Sequence, residues 1–89
     1  MEELRLGFVG IVVDQRQKAG EVNAILSQYG DMIRGRIGIP DQEQQRAVIG
    51  LVVEGTNDRV GAMTGKLGNI PGVTVKSAMT KSGKSPQNG

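Results

Sequence analysis

The chain has 89 residues, a net charge of +2 at pH 7, and neither cysteine nor histidine. Without those two residue types it lacks the means to form a disulfide, a structural zinc site or a nucleophile–histidine pair. A chain of this length makes one small domain with a thin core, and such domains usually need additional stabilisation from a metal, a disulfide or a partner. Self-association is therefore the expected source of that stability, and no cofactor is expected.

The apolar pattern predicts four strands and two helices in the order βαββαβ. In chain order these are a strand at 4–13, a helix at 15–28, a strand at 32–39, a strand at 46–54, a helix at 58–69 and a strand at 73–80. Asp14 follows the first strand as a turn or helix N-cap, Gly30 ends the first helix, and Pro40 ends the second strand. Residues 81–89 contain no apolar side chain, so they are predicted to form a disordered tail behind a folded domain at residues 1–80.

The two predicted helices carry the same apolar stripe, which recurs along the chain. The stripe residues are Ala19, Val22, Leu26 and Tyr29 in the first helix and Val60, Met63, Leu67 and Ile70 in the second. Each residue of the second stripe follows its counterpart by 41 positions, as 60 minus 19 shows. Two βαβ units in so short a chain are typical of the ferredoxin-like fold of the α+β class. Right-handed crossovers then place both helices on one face of a four-stranded antiparallel sheet.

The strand patterns predict which strands lie at the centre of this sheet. Strands one and three are apolar on both faces, whereas strands two and four alternate, so the predicted order is 4-1-3-2. In strand two, alternation places Ile33, Ile37 and Ile39 on one face and Arg34 and Arg36 on the other. Because two helices cover only one face, a second subunit is the simplest cover for the other. A homodimer or homotetramer is therefore expected.

Three basic residues are predicted to lie on the open face of the sheet. Arg34 and Arg36 come from one edge strand and Lys76 from the other. A guanidinium group binds carboxylate or phosphate in a bidentate manner, so this set could bind an anionic ligand or border a subunit interface. The alternative is that charged residues on edge strands only prevent edge-to-edge aggregation.

The second helix contains glycines at 61, 65 and 68, near one side. Glycine in a helix costs about 1 kcal/mol relative to alanine, so three of them indicate a compensating close approach. Tight packing against the sheet or the other helix is one explanation. Backbone contact with a ligand or partner, with Lys66 beside it, is the other.

Two classes of partner are not expected. Proteins that bind RNA on a sheet of this topology stack bases on aromatic side chains, and Phe8 is the only aromatic residue in a predicted strand. Direct binding of nucleic acid is therefore not predicted. No segment approaches the roughly 18 consecutive apolar residues that a membrane span needs. The absence of cysteine is consistent with a cytoplasmic location.

Several segments resemble known regulatory domains. Residues 18–26 (KAGEVNAIL) resemble the first helix of ACT domains, and residues 53–58 (VEGTND) and 66–73 (KLGNIPGV) resemble their second half. Residues 36–40 (RIGIP) and 64–68 (TGKLG) are similar to segments of the iron-only hydrogenase system regulator family. That family is ACT-like and related in fold to the regulatory domain of the nickel-responsive repressor. The repressor's metal ligands are His and Cys, so the resemblance implies no similar nickel site here.

The resemblance also implies a position for a ligand. In ACT-like domains, small ligands lie at the first strand-to-helix turn, facing a neighbouring subunit. Here that turn is Asp14, Gln15 and Arg16, and Asn23 on the following helix is a further candidate. The alternative for the turn is an ordinary N-cap with solvated neighbours, and for Asn23 a partly exposed packing residue.

The expected function is that of a non-enzymatic ACT-like regulatory module that works as a homo-oligomer. The resemblance implies a role in the iron-only hydrogenase system or in transcriptional regulation, with a small-molecule effector. The alternative is an assembly scaffold that binds a protein partner and no small molecule. An enzyme is the least favoured interpretation, because no convergent catalytic set is visible beyond Tyr29 and scattered acids.

Overall fold

The computed structural model describes residues 3–41 and 43–80, with only the backbone at Asp41. The elements are β1 (Arg5–Val13), α1 (Ala19–Gln28), β2 (Ile33–Asp41), β3 (Arg46–Gly55), α2 (Asn57–Gly68) and β4 (Val73–Met79). All strand pairs are antiparallel, and the order across the sheet is β2-β3-β1-β4. The predicted ferredoxin-like α+β fold is therefore confirmed. The predicted tail at residues 81–89 lies outside the described residues.

The core lies between the sheet and the two helices, and both predicted stripes face it. From the helices, Val22, Leu26 and Tyr29 of the first stripe and all of the second are buried, while Ala19 is half-buried. From the central strands, the buried side chains are Val9, Ile11, Val13, Ile49, Leu51 and Val53. Each such aliphatic side chain contributes about 1.5–3 kcal/mol when fully buried. Packing on this single face of the sheet therefore dominates the stability of the fold.

The two helices begin in different ways. Thr56 caps α2, and its hydroxyl oxygen accepts a hydrogen bond from the backbone N–H of Arg59 at 3.2 Å. Asp14 does not cap α1, because a short 3-10 helix at Arg16–Lys18 comes first. The backbone N–H of Asp14 instead donates to the carbonyl oxygen of Gly72 at 2.8 Å. The predicted N-cap role of Asp14 is therefore wrong.

A β-bulge in β2 changes which side chains share a face. Ile33 pairs with Val53 and faces the helices, but the register shifts before Gly35, which pairs with Val52. The extra residue reverses the alternation, so Ile37 and Ile39 lie on the open face and Arg36 on the helix face. The predicted common face for Arg34 and Arg36 is therefore wrong, and the open face is more apolar than expected.

The glycines of α2 are not packed against the rest of the chain. Gly61, Gly65 and Gly68 are exposed, and a Cβ atom added at any of them would meet nothing within 4 Å. The predicted close approach within the chain is wrong in the described residues, because the buried stripe lies on the opposite side of the helix. No helix of the described part is long and apolar enough to cross a membrane.

We expect the Thr56 cap to support α2 measurably. Thr56→Ala should lower the free energy of unfolding by about 1 kcal/mol, because the N–H of Arg59 loses its acceptor. Thr56→Ser, which keeps the hydroxyl, is the matched control and should remain near wild type. Urea denaturation monitored by circular dichroism measures both. Equal losses in the two variants would show that the hydroxyl does not stabilise the helix.

Candidate functional site

The open face of the sheet carries a continuous apolar surface. Its large exposed side chains are Leu6 (50%), Phe8 (50%), Ile37 (65%), Ile39 (61%), Val48 (45%) and Val52 (41%). The strand register places them on three adjacent strands, β1, β2 and β3, and no described element covers them. We call this set the open apolar face. Contiguous apolar surface of this kind marks an interaction site in a soluble protein.

Two paired glycines lie at the centre of the open apolar face. Gly10 of β1 is opposite Gly50 of β3. A Cβ atom at Gly50 would lie 2.7 Å from Cζ of Phe8, so the phenyl ring extends across the glycine backbone. Glycine at this position therefore lets an aromatic ring lie flat on the sheet. The ring then projects less above the surface of the open apolar face.

Charged side chains border the open apolar face. Arg34 forms an ion pair with Glu54 across β2 and β3, with 3.1 Å between Nη2 and Oε1. Lys76 is exposed on β4, at the opposite edge, in the same cross-strand row as Gly10. Exposed ion pairs contribute at most about 1 kcal/mol, so this border gives specificity more than stability.

Arg36 and Asn23 are brought together on the helix side of the sheet. The guanidinium group of Arg36 donates from Nη2 to Oδ1 of Asn23 at 2.5 Å. This contact connects the edge strand β2 to helix α1, and both side chains are exposed. The two candidates form a local polar contact and lie away from Arg34.

The β1–α1 turn lies at one end of the sheet and is held by backbone hydrogen bonds from two sides. Asp14 N–H donates to Gly72, and Arg16 N–H donates to the carbonyl oxygen of Gln45 at 3.1 Å. The side chains of Asp14, Gln15 and Arg16 are all exposed. The side chain of Gln15 also accepts a hydrogen bond from Nε2 of Gln17 at 3.5 Å. A turn with a fixed backbone and exposed polar side chains is suited to binding a small polar molecule.

Lys66 belongs to a cluster between the two helices. Its Nζ donates to Oε1 of Gln28 at 3.2 Å and lies 5.2 Å from the centroid of the Tyr29 ring. Arg59 lies 5.4 Å from the same centroid and forms a bidentate pair with Asp31, at 2.6 and 3.0 Å. The hydrogen bond from Arg59 lowers the pKa of Asp31 below its ordinary value of 3.8, and Asp31 raises the pKa of Arg59.

The Arg59–Asp31 pair escaped prediction, because the two residues are 28 positions apart and no local pattern links them. The arrangement of Ile37 and Ile39 was also missed. A signal for it was present, since a glycine inside a strand pattern, here Gly35, often marks a bulge.

The structure does not bring the predicted ligand-binding residues into one site. Arg34 lies at the end of the sheet opposite the β1–α1 turn, and Lys66 lies between the helices. A surface pocket of about 210 Å³ is lined by other residues, Glu3, Arg5, Asn57 and Asp58. Among the residues that the structure describes, no group of three or more potential metal ligands occurs.

Comparison with known proteins gives a family match over most of the chain. The family model TM1266-like, described as "Iron-only hydrogenase system regulator, putative", matches residues 5–77. The structure of uncharacterized protein TM1266 from Thermotoga maritima is 42% identical, with a TM-score of 0.83, and the match covers 89% of this chain and 100% of that chain. A search of the curated proteins found no match.

Two more distant structures share the fold. Both are of CPII, a nitrogen regulatory PII-like protein from Thiomonas intermedia K12, and both are 13% identical to this chain. The apo form has a TM-score of 0.53 and covers 90% of this chain and 97% of that chain. The form bound to ADP, AMP and acetate has a TM-score of 0.50, with coverage of 89% and 92%.

The two helices on one face and the open sheet on the other define a small α+β domain with the ferredoxin-like fold. Within that class, the chain belongs to the TM1266-like family of iron-only hydrogenase system regulators.

The Arg59–Asp31 pair predicts a pH-dependent contribution to stability. A carboxyl group with a lowered pKa in the folded state stabilises the fold above its unfolded pKa and loses that effect as pH falls through the folded value. Asp31→Asn should therefore lower the melting temperature at neutral pH, and the difference from wild type should vanish as pH falls below 3.8. Thermal unfolding across this range measures it.

Glu43→Gln, which removes another exposed carboxylate, is the control. A difference between wild type and Asp31→Asn that is constant with pH would show that the ion pair is not responsible. In a double-mutant cycle, Asp31→Asn and Arg59→Gln should be non-additive at neutral pH.

Proposed function

We propose that the protein is a non-enzymatic regulatory module that acts as a homo-oligomer, joined through the open apolar face. The observation that carries this proposal is the exposure of six large apolar side chains on one sheet face. Burial of this apolar surface against another molecule would be stabilised by the hydrophobic effect. Association through this face is therefore favoured.

The dimensions of the face suit a dimer. Four strands about 4.8 Å apart and seven or more residues long make a face of about 20 by 25 Å. That is about 500 Å² in projection, and side chains that stand above the plane raise the accessible area toward the roughly 800 Å² per partner of a standard interface. The small core of an 89-residue chain gives such an interface a stabilising role as well.

The regulatory part of the proposal is supported by the family. The description of the matching family names an iron-only hydrogenase system regulator. The absence of a convergent catalytic set in the described residues supports a role without catalysis. Tyr29 is buried and packed against two cations, and the carboxylate of Asp31 is engaged by Arg59.

A small effector at the β1–α1 turn completes the proposal. Asp14, Gln15 and Arg16 present exposed side chains on a backbone that two other loops hold in place. The PII-like protein CPII binds ADP, AMP and acetate, so small anions and adenine nucleotides are the first effectors to test here. An assembly scaffold is the second candidate function, favoured by the same apolar face, which another protein could cover instead of a second copy.

We expect the wild-type protein to be a dimer or a larger oligomer in solution. Ile37→Glu should dissociate it, because a carboxylate would be buried in the apolar interface without a partner. Ala24→Glu, which adds the same charge on the exposed side of α1, should leave the mass unchanged. Light scattering during size-exclusion chromatography measures all three. A monomeric wild type would rule out the homo-oligomer and leave the scaffold.

A nucleotide effector should stabilise the folded protein. At a hundred times the dissociation constant, ADP or AMP should add about 2.7 kcal/mol to the free energy of unfolding. Arg16→Gln should abolish this gain, while Arg5→Gln, at the opposite end of β1, should keep it. Differential scanning fluorimetry with inorganic phosphate and acetate as further probes measures the shift. No shift with any of these probes would contradict an effector of this class.

A further inference from the structure

We infer that a second copy of the chain covers the open apolar face in one particular register. The two sheets pack face to face about a twofold axis that crosses the strands at the Gly10–Gly50 row. Each strand then lies antiparallel to its own counterpart in the partner. This inference rests on the proposed homo-oligomer and adds the orientation of its subunits.

The open-face residues of β3 are self-complementary about Gly50. In order along the strand they are Arg46, Val48, Gly50, Val52 and Glu54. A twofold axis through Gly50 places each valine on the other valine of the partner and each charged end on the opposite charge. Glu54 already pairs with Arg34 of its own chain, so the partner's Arg46 is a second cation beside the same carboxylate. Such a pattern lets one surface bind a copy of itself, as an isologous interface requires.

The neighbouring strands match in the same register. Lys76, Gly10, Gly50 and Ile37 form a single cross-strand row, so Ile37 lies on the axis and faces its counterpart. In the next cross-strand row on the same face, Ile39 faces the partner's Gly35. A large side chain there lies opposite a residue that has no side chain. The Phe8 ring lies over Gly50 and therefore on the axis, where it faces the ring of the partner's Phe8. A large group opposite a small one, as at Ile39, allows the two faces to interdigitate at about 10 Å.

The other in-plane twofold axis, which runs parallel to the strands, gives a poorer match. It exchanges β1 with β3 and β2 with β4, because the strand order is β2-β3-β1-β4. Lys76 would then lie on the partner's Ile37, and Glu54 on the partner's Leu6. Charged groups placed on apolar side chains are desolvated without compensation. In the proposed register Lys76 instead faces its counterpart at the sheet edge, where a long side chain extends into solvent.

A charge-swap experiment tests the contact between Glu54 and the partner's Arg46. Glu54→Arg alone and Arg46→Glu alone should each raise the dimer dissociation constant by on the order of tenfold or more, because like charges then meet twice. An equimolar mixture of the two variants should form a heterodimer that is much tighter than either homodimer. It should remain weaker than wild type, because Arg34 of the Glu54→Arg chain has lost its ion pair. Glu54→Gln and Arg46→Gln, which remove charge without repulsion, are the matched controls and should show no recovery on mixing.

A cross-linking experiment tests the position of the axis. The chain has no cysteine, so any thiol cross-link must come from introduced cysteines. Two sheets about 10 Å apart are too distant for a direct disulfide, so a short bifunctional thiol reagent is used. Ile37→Cys should form a covalent dimer rapidly with this reagent, because the two sulfur atoms face each other across the axis. Ile39→Cys is the control, since its counterpart lies several residues away along the strand. Ile39→Cys mixed with Gly35→Cys should form a heterodimer.

The outcomes separate this inference from the proposed function. Rapid cross-linking at position 37 together with recovery in the charge-swap mixture establishes the register. A dimeric wild type in which position 39 cross-links as fast as position 37, or in which mixing restores nothing, overturns the register and leaves the homo-oligomer standing. A monomeric wild type overturns both.

Discussion

Two helices can cover only one face of a four-stranded sheet, and the rest of this structure depends on that limit. The central strands β1 and β3 are apolar on both faces, so only half of their side chains enter the core. The core packs with Leu51 and Met63 wholly buried, while Phe8 on the opposite face remains half exposed. All four strands and both helices are in place, but no described element covers the open apolar face of the sheet.

The bulge at the start of β2 decides the chemistry of that layer. Without it, strict alternation would place two arginines of β2 on the open face and its isoleucines against the helices. One extra residue between Ile33 and Gly35 reverses the pattern and turns Arg36 toward Asn23. A face that would have attracted anions becomes one that favours an apolar partner. The self-complementary pattern of β3 supports our proposal that a second copy of the chain covers this face.

Several charged side chains in the described part of the chain pair with one another, as with Arg34 and Glu54 or Arg59 and Asp31. Groups engaged in this way are poorly placed for catalysis, which needs several free groups aimed at one point. The β1–α1 turn differs, because its backbone is held while its side chains extend into solvent. An exposed apolar face and an exposed polar turn therefore occupy separate parts of this domain, whose family is described as "Iron-only hydrogenase system regulator, putative".

The fold was predictable from the sequence because it depends on periodicity. The 41-residue repeat of two apolar stripes and the two-sided apolar character of β1 and β3 determine the element order and strand order directly.

The surface was decided by the tertiary structure. A bulge forms where cross-strand hydrogen bonding and packing together accommodate one extra residue, and alternation along a single strand carries no record of it. Ion pairs such as Arg59–Asp31 depend on elements that meet only after folding. The sequence by itself therefore determined the order of the elements and the helix stripes that enter the core, because hydrophobic burial in a helix follows local period. Which residues share the open face, and which charges are already paired, depended on contacts between distant parts of the chain.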